Sequence, residues 1–206
     1  MKILVVCQYY YPEPFRISDI CEELVKNGNE VTVLTGIPNY PEGIIYEGYG
    51  NGDKRDEYIS GVHVIRCYTI PRKKGAFYRL LNYYSYAISS SLKILFNSVK
   101  AADGSEFDVV FVNQLSPVMM AYAGMLYKWK HNKKLVLYCL DLWPESLAAG
   151  GIKKNSLIYK LFDRISEQIY KSCDQILVTS KSFIGYLSQK FAISKNSFTY
   201  LPQYAE

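Results

Sequence analysis

The chain has 206 residues, 49% hydrophobic and 21% charged, which suits one folded domain and excludes a disordered tail, a collagen repeat and a coiled coil. Its 24 basic and 19 acidic residues leave a formal charge of +5, too mild to point to nucleic acid, so no nucleic-acid partner is expected. The composition stands out in its 20 Tyr, a residue apolar in body and polar at its tip that suits ligand clefts and membrane interfaces.

Ile3 to Val6 is a short apolar run, read as a buried parallel strand, with a loop from Gln8 to Pro14 at its exit. Ile17, Ile20, Cys21 and Leu24 recur at helical spacing, and Asn27-Gly28 after Lys26 marks a helix end. Val31, Val33 and Leu34 complete a strand-helix-strand unit, which calls for a parallel pair with a right-handed crossover. The Gly-, Pro- and Tyr-rich stretch from Thr35 to Asp56 reads as a long functional loop, mobile without ligand. Glu57–Ile59 and Val62–Tyr68 read as strands around Ser60-Gly61, and Ala76 to about Ala102 as a helix.

Val109–Val112 is a further buried strand, Val118–Trp129 a helix, and Leu135–Cys139 a strand with its exit at Leu140–Ser146. Ser156 is the expected N-cap of a helix with a stripe through Leu157, Leu161, Ile165 and Ile169, ending near Cys173. Gln175–Val178 and Phe198–Leu201 read as strands on either side of a helix over Ser182–Lys190. The alternation predicts an α/β fold, a doubly wound parallel sheet.

Five scattered cysteines without a C-x-x-C pair give neither a disulfide framework nor a zinc site, and no metal is expected. Cys7 and Cys139 close apolar runs and read as buried thiols in a reducing compartment. The N-terminal run is too short for a signal peptide and no stretch reaches the length of a membrane span, so a cytoplasmic chain is expected.

In an open parallel sheet, ligands sit beyond the carboxyl ends of the strands. The exits are Gln8–Arg16, Thr35–Pro41, Asn113–Ser116 and Leu140–Glu145. Each also reads as a solvated loop or helix cap: Asp141 as a simple cap, Arg16 as the partner of a nearby acid. No G-x-G-x-x-G, P-loop or G-x-S-x-G occurs, and neither His63 nor His131 stands at a strand exit.

The ordered set Gln8-Tyr9-Tyr10-Tyr11-Pro12-Glu13, Gly28–Thr35, Gly36-Ile37-Pro38-Asn39-Tyr40-Pro41 and Asp141-Leu142-Trp143-Pro144-Glu145-Ser146 resembles the N-terminal half of glycosyltransferase family 4. Within it, the branch that builds bacterial capsule, O-antigen and colanic-acid polysaccharides is the most similar. The resemblance implies one Rossmann-like half of a GT-B enzyme: residues 1–206 as the acceptor-binding domain, with a C-terminal donor domain absent from this chain. It implies retaining, metal-independent transfer from a nucleotide-sugar co-substrate to a glycan acceptor, with no cofactor.

On that basis Asp141 is expected to orient or deprotonate the acceptor, and Arg16 to bond a diphosphate across the cleft. Asn39, Asn113 and Gln114 are expected to bond sugar hydroxyls, and Tyr10, Tyr40 or Trp143 to stack on a sugar. Glu13 and Glu145 complete the expected site. The alternative is a non-catalytic module that binds carbohydrate or a lipid carrier.

Residues 71 to 100 carry Arg72, Lys73, Lys74, Arg79, Lys93 and Lys100 with no acidic residue, interleaved with Phe77, Tyr78 and other aromatics. That pattern predicts a membrane-facing element on the inner leaflet, where a lipid-linked acceptor would be held. Ordinary packing of a long helix on a sheet is the competing reading.

Overall fold

β1 (Lys2–Val6) lies inside an eight-stranded sheet of order β3-β4-β2-β1-β5-β6-β7-β8. The computed structural model describes residues 1–203 except Asn51, Asp53 and Ser98, so parts of the expected loop and of the expected long helix lie outside the described residues. The other strands are β2 (Glu30–Thr35), β3 (Asp56–Ile59), β4 (Val62–Arg66), β5 (Val109–Gln114), β6 (Lys134–Cys139), β7 (Gln175–Val178) and β8 (Phe198–Tyr200). The helices are α1 (Ile17–Lys26), α2 (Ala76–Phe96), α3 (Tyr122–His131), α4 (Glu145–Ala149), α5 (Leu157–Ser172) and α6 (Lys181–Phe191). All pairings are parallel except the β3–β4 hairpin, whose turn residues Ser60 and Gly61 take positive φ, as a tight two-residue turn requires. The expected α/β, Rossmann-like doubly wound sheet is present.

Alternation along β1 builds a core on each face of the sheet. Ile3, Val5 and Cys7 pack with Ile17 and Cys21 of α1 and with Val31, Val33, Val62 and Val64. Leu4 and Val6 turn the other way, into a larger core with Tyr86 and Ile94 of α2, Tyr127 of α3, Ile169 of α5 and Leu187 of α6. Tyr86, wholly buried, donates its hydroxyl to the Leu34 carbonyl at 2.8 Å. Gly124 lets α3 lie close on the sheet: a Cβ there would stand 2.6 Å from Val112 Cγ2. The cysteines among the described residues are free, and burial pushes the Cys7 and Cys139 thiols up to about 12.

Helix ends follow local chemistry. Ser156 caps α5 as expected, its Oγ accepting the Tyr159 N–H. Asn132 takes the left-handed conformation after α3. The expected helix over 76–102 ends at Phe96, because Asn97 is extended and Val99 and Ala101 turn into the core. The expected helix over 118–129 starts with a 3-10 turn at Val118–Ala121 and runs on to His131. α4 breaks a stretch with no expected element.

Candidate functional site at the strand exits

The chain leaves β1 for β2 on one side, while β5, on the other side of β1, leads to β6, so the strand order reverses between β1 and β5. In open α/β sheets this crevice is where ligands bind. A cavity of about 630 Å³ opens there, lined at its mouth by Phe15, Arg16, Asn113, Leu115, Tyr138 and Leu140, and continues down the sheet to Met1 and Leu24. Asn113, at the penultimate position of β5, is buried, yet its amide makes no hydrogen bond among the described residues. Arg16 precedes the first turn of α1, where a cationic side chain and helix N–H groups stand together.

In the loop after β2, residues 36–39 are buried, as are Gly43 and Tyr49, while Pro41, Glu42, Ile44, Glu47 and Gly48 are exposed. Glu13, buried, reaches it with one carboxylate oxygen, Oε1, which accepts the backbone N–H of Asn39 at 2.8 Å and of Tyr40 at 2.7 Å. Burial pushes the Glu13 carboxyl up to about 7, against the pull of these N–H groups and of Arg66. Asn39 spends its own side chain inside the loop, donating to Ile37 O at 2.7 Å and accepting the Arg72 N–H at 2.7 Å. Glu13 and Asn39 thus act as ties between strand exits, and the sugar-bonding role expected of Asn39 is occupied.

Above them, Tyr9 stacks on Phe15 at 4.9 Å and Tyr40 leans on both. The Arg72 guanidinium lies 5.5 Å from the Tyr40 ring and 5.7 Å from the Tyr83 ring. Arg72 therefore belongs to this aromatic cluster and not to the outward basic row in which its sequence neighbours placed it. Lys73, Lys74, Phe77 and Arg79 are exposed, with Lys73 over the Tyr78 ring. Phe15 and Tyr40, half-buried, offer the aromatic surface that Tyr10 does not. Tyr10 is buried in the core beneath α1, so its expected stacking role is corrected.

Three donors converge on Asp141. Ser116 and Trp143 Nε1 bond Oδ2, the indole at 3.1 Å, and Ser146 bonds Oδ1. Gln114 joins the same knot, donating to the Asp141 carbonyl at 2.9 Å and to the Leu115 carbonyl at 2.8 Å. Trp143 is buried edge-on against Phe162, with its indole N–H spent on Ser116 and Asp141, so it presents no stacking face. The exits of β5 and β6 are thereby one unit. The Asp141 carboxylate organises it, and a role as base would compete with these donors.

Glu145 lies in a different cluster, set between α4, α5 and α6. It accepts from Tyr159 at 2.7 Å, from Tyr186, from Lys190 at 3.3 Å and from Lys154 at 2.5 Å. Burial raises its carboxyl, but the bonds from Lys154, Tyr159, Tyr186 and Lys190 outweigh it and hold the group down at about 2. Glu145 is a structural latch, away from the crevice residues. Of the expected site residues, Arg16 and Asn113 line the crevice, and Tyr40 sits beside it against Phe15, which lines it as well. Phe15 and Arg72 join them unforeseen; the contacts of Arg72 with Tyr40 and Tyr83 are tertiary, and its sequence neighbours Pro71 and Lys73 gave no signal of them.

The sequence profile of Glycosyltransferase Family 4 matches residues 16–203. WbjE of Pseudomonas aeruginosa, named as a glycosyltransferase, is 27% identical over 125 residues, 60% of this chain and 30% of that protein. WcaI of Escherichia coli, named as a colanic acid biosynthesis glycosyl transferase, is 24% identical over 215 residues, covering 100% of this chain and 51% of its own. The sucrose-phosphate synthase of Thermosynechococcus elongatus shares the fold with a TM-score of 0.60 at 11% identity, over 98% of this chain and 47% of that one. The chain spans about half the length of these proteins or less. A sheet that reverses at an open crevice, and a profile match over nearly its whole length, make this chain a member of Glycosyltransferase Family 4, folded as one Rossmann-like half of a GT-B glycosyltransferase.

Proposed function

We propose that this chain is the acceptor-binding half of a retaining, metal-independent glycosyltransferase that extends a lipid-linked glycan during bacterial surface polysaccharide synthesis. It works peripherally at the inner face of the plasma membrane, beside a donor-binding half supplied by further chain. The observation that supports the reading is the crevice between β1 and β5, where Arg16 and an unpartnered Asn113 amide share the lining with Phe15, itself packed on Tyr40. A nucleotide-sugar is the co-substrate. The acceptor oxygen bonds to the anomeric carbon, the bond from that carbon to the diphosphate breaks, and the hydroxyl proton leaves with the departing phosphate.

Arg16 supplies a charge-assisted bond to the diphosphate as negative charge grows on it. The Asn113 amide bonds an acceptor hydroxyl, and Phe15 and Tyr40 hold a sugar face. The knot around Asp141 keeps Asn113 in place and orients the acceptor through the loop it fixes. The half-length coverage of WcaI and its name support both the missing half and the pathway class.

The test is sugar transfer by the full-length protein from a panel of nucleotide sugars to a lipid-linked acceptor. Arg16→Ala and Asn113→Ala should each lower kcat/KM by roughly tenfold or more at unchanged melting temperature. Residues 1–206 alone should fold and transfer nothing. Wild-type rates in both variants would overturn the placement of the site, and transfer by the isolated half would overturn its division of labour.

A further inference from the structure

A surface arginine usually rests its stem on the protein and keeps its guanidinium in water. Arg72, on the connection from β4 to α2, is held far more firmly. Its backbone N–H is caught by Asn39 Oδ1 at 2.7 Å, and the Asn39 N–H is caught in turn by Glu13 Oε1 at 2.8 Å. One chain of ties thus runs from the exit of β1 through that of β2 to that of β4. The loop after β2 also lies directly on the Arg72 peptide: a Cβ on Gly43, whose φ is +68°, would stand 2.3 Å from the Arg72 carbonyl oxygen. The half-buried side chain then places its guanidinium over two rings, 5.5 Å from Tyr40 and 5.7 Å from Tyr83.

This fixed cation has no anion beside it. Among the described residues no carboxylate forms an ion pair with Arg72. The chain carries no acidic residue from Tyr58 to Ala102. Glu13, on the same chain of ties, has Oε1 taken by two backbone N–H groups, and burial keeps its proton on up to about 7. The Tyr9 hydroxyl, which Arg72 also reaches, is buried and holds its proton. Lys73 and Lys74 stand exposed alongside, so this corner of the sheet edge has a surplus of positive charge.

We propose that Arg72 is a specificity residue for an anionic acceptor, its guanidinium bonding a carboxylate or phosphate on the sugar that lies against Phe15 and Tyr40. This rests on the acceptor-binding reading above and deepens it by setting the chemical class of the acceptor. Phe15 lines the crevice, Tyr40 leans on Phe15 at 5.2 Å, and the guanidinium stands over Tyr40, so cation and crevice share one aromatic wall. The planar fork of a guanidinium matches two oxygens of either anion at once. Because the Arg72 backbone is already fixed by Asn39 and Gly43, less freedom is lost when the anion arrives. Two sources supply such a group: an acidic sugar within the glycan, or the phosphate that joins its first sugar to the lipid.

The test is titration of the full-length protein with methyl glucoside, methyl glucuronide and glucose 1-phosphate, read by saturation-transfer NMR. The variants are Arg72→Gln, Arg72→Lys and Lys73→Gln/Lys74→Gln. Asn39 holds Arg72 by its backbone, so each variant keeps that tie, and circular dichroism melts check that it folds. At least one anionic probe should bind roughly tenfold or more tighter than methyl glucoside. Arg72→Gln should remove that preference and leave methyl glucoside unchanged, Arg72→Lys should restore part of it, and the double lysine variant should keep it. A preference for the glucuronide identifies an acidic sugar as the source, and one for glucose 1-phosphate identifies the phosphate linkage. Equal binding of all three probes, binding of none, a preference that survives Arg72→Gln, or one that vanishes in Lys73→Gln/Lys74→Gln would overturn the proposal. These titrations involve no sugar transfer. A protein that prefers the anionic probes through Arg72 yet transfers nothing retains this site and loses the enzymatic reading, whereas transfer at an unchanged KM in Arg72→Gln does the opposite.

Discussion

Glu13 and Asn39 are joined across 26 positions by a carboxylate–amide bond of 2.8 Å, and through it the exit of β1 holds the exit of β2. Because both N–H groups go to the same oxygen, the tie does not need a charge. It tolerates one at a cost, since the carboxyl is buried and its proton is held up to about 7.

The pH dependence follows from that. The folded protein keeps the Glu13 proton up to about 7, whereas the unfolded chain releases it near the ordinary value of 4.5. Stability from this group is complete below 4.5 and is lost as pH rises through 7, on the order of 3 kcal/mol. Melting temperature should therefore fall over this window and level off above it. Glu13→Gln, which keeps an oxygen for both N–H groups, should flatten the slope; an identical profile in the variant would remove Glu13 as its source.

Asp141→Asn replaces an acceptor of three hydrogen bonds with an amide that must turn one donor toward other donors. The expected loss is about 1–3 kcal/mol of stability, seen as a lower melting temperature and increased Trp143 solvent exposure by fluorescence. In the full-length enzyme, turnover should fall together with this loosening. A drop of about a hundredfold with the melting temperature and Trp143 signal unchanged would instead give the carboxylate a direct part in proton transfer.

Gly124→Ala places a methyl group 2.6 Å from Val112 Cγ2 and 3.2 Å from Leu135 Cδ1. α3 must then lift from β5 and β6. Chemical denaturation should show a loss of about 1–3 kcal/mol, as overpacking costs elsewhere. A neutral result would mean that α3 slides without penalty.

Glu145→Ala leaves Lys154, Lys190 and two tyrosine hydroxyls without their shared acceptor. A loss of about 1–3 kcal/mol is expected, localised to α4–α6 by hydrogen exchange. Since the carboxyl is held down at about 2, the stabilisation is present above its ordinary value and fades as pH falls from 4.5 toward 2. The difference between wild type and variant should shrink over that range, and protection unchanged in α5 and α6 would count against the latch.

The framework was legible because the central strands are apolar runs and the long helices carry a stripe: Ile3–Val6 and the Ser156-capped stripe of α5 needed nothing beyond periodicity. α4 was not legible, since five residues are too few to show a period. The strand exits, too, could be named from order alone. Which polar side chain faces outward could not, because Asn39, Gln114, Asp141 and Glu145 look alike in sequence to Asn113, and tertiary contacts alone decide that the first four are consumed internally. Arg72 was misread for the same reason. Its neighbours Lys73 and Lys74 are exposed, while its own N–H is caught by Asn39, 33 positions away.

β1 owes one of its two partners to a segment more than a hundred residues downstream, with Ile3 opposite Val109 and Val6 opposite Val112. During synthesis the first strand can pair early with β2, but it remains a sheet edge until β5 leaves the ribosome. At about 5–20 residues per second that interval lasts roughly 5–20 s, during which a strand apolar from Ile3 to Val6 is open to foreign pairing. A nascent chain stopped before position 109 should thus be held by chaperones or aggregate, and one released after β5 should not.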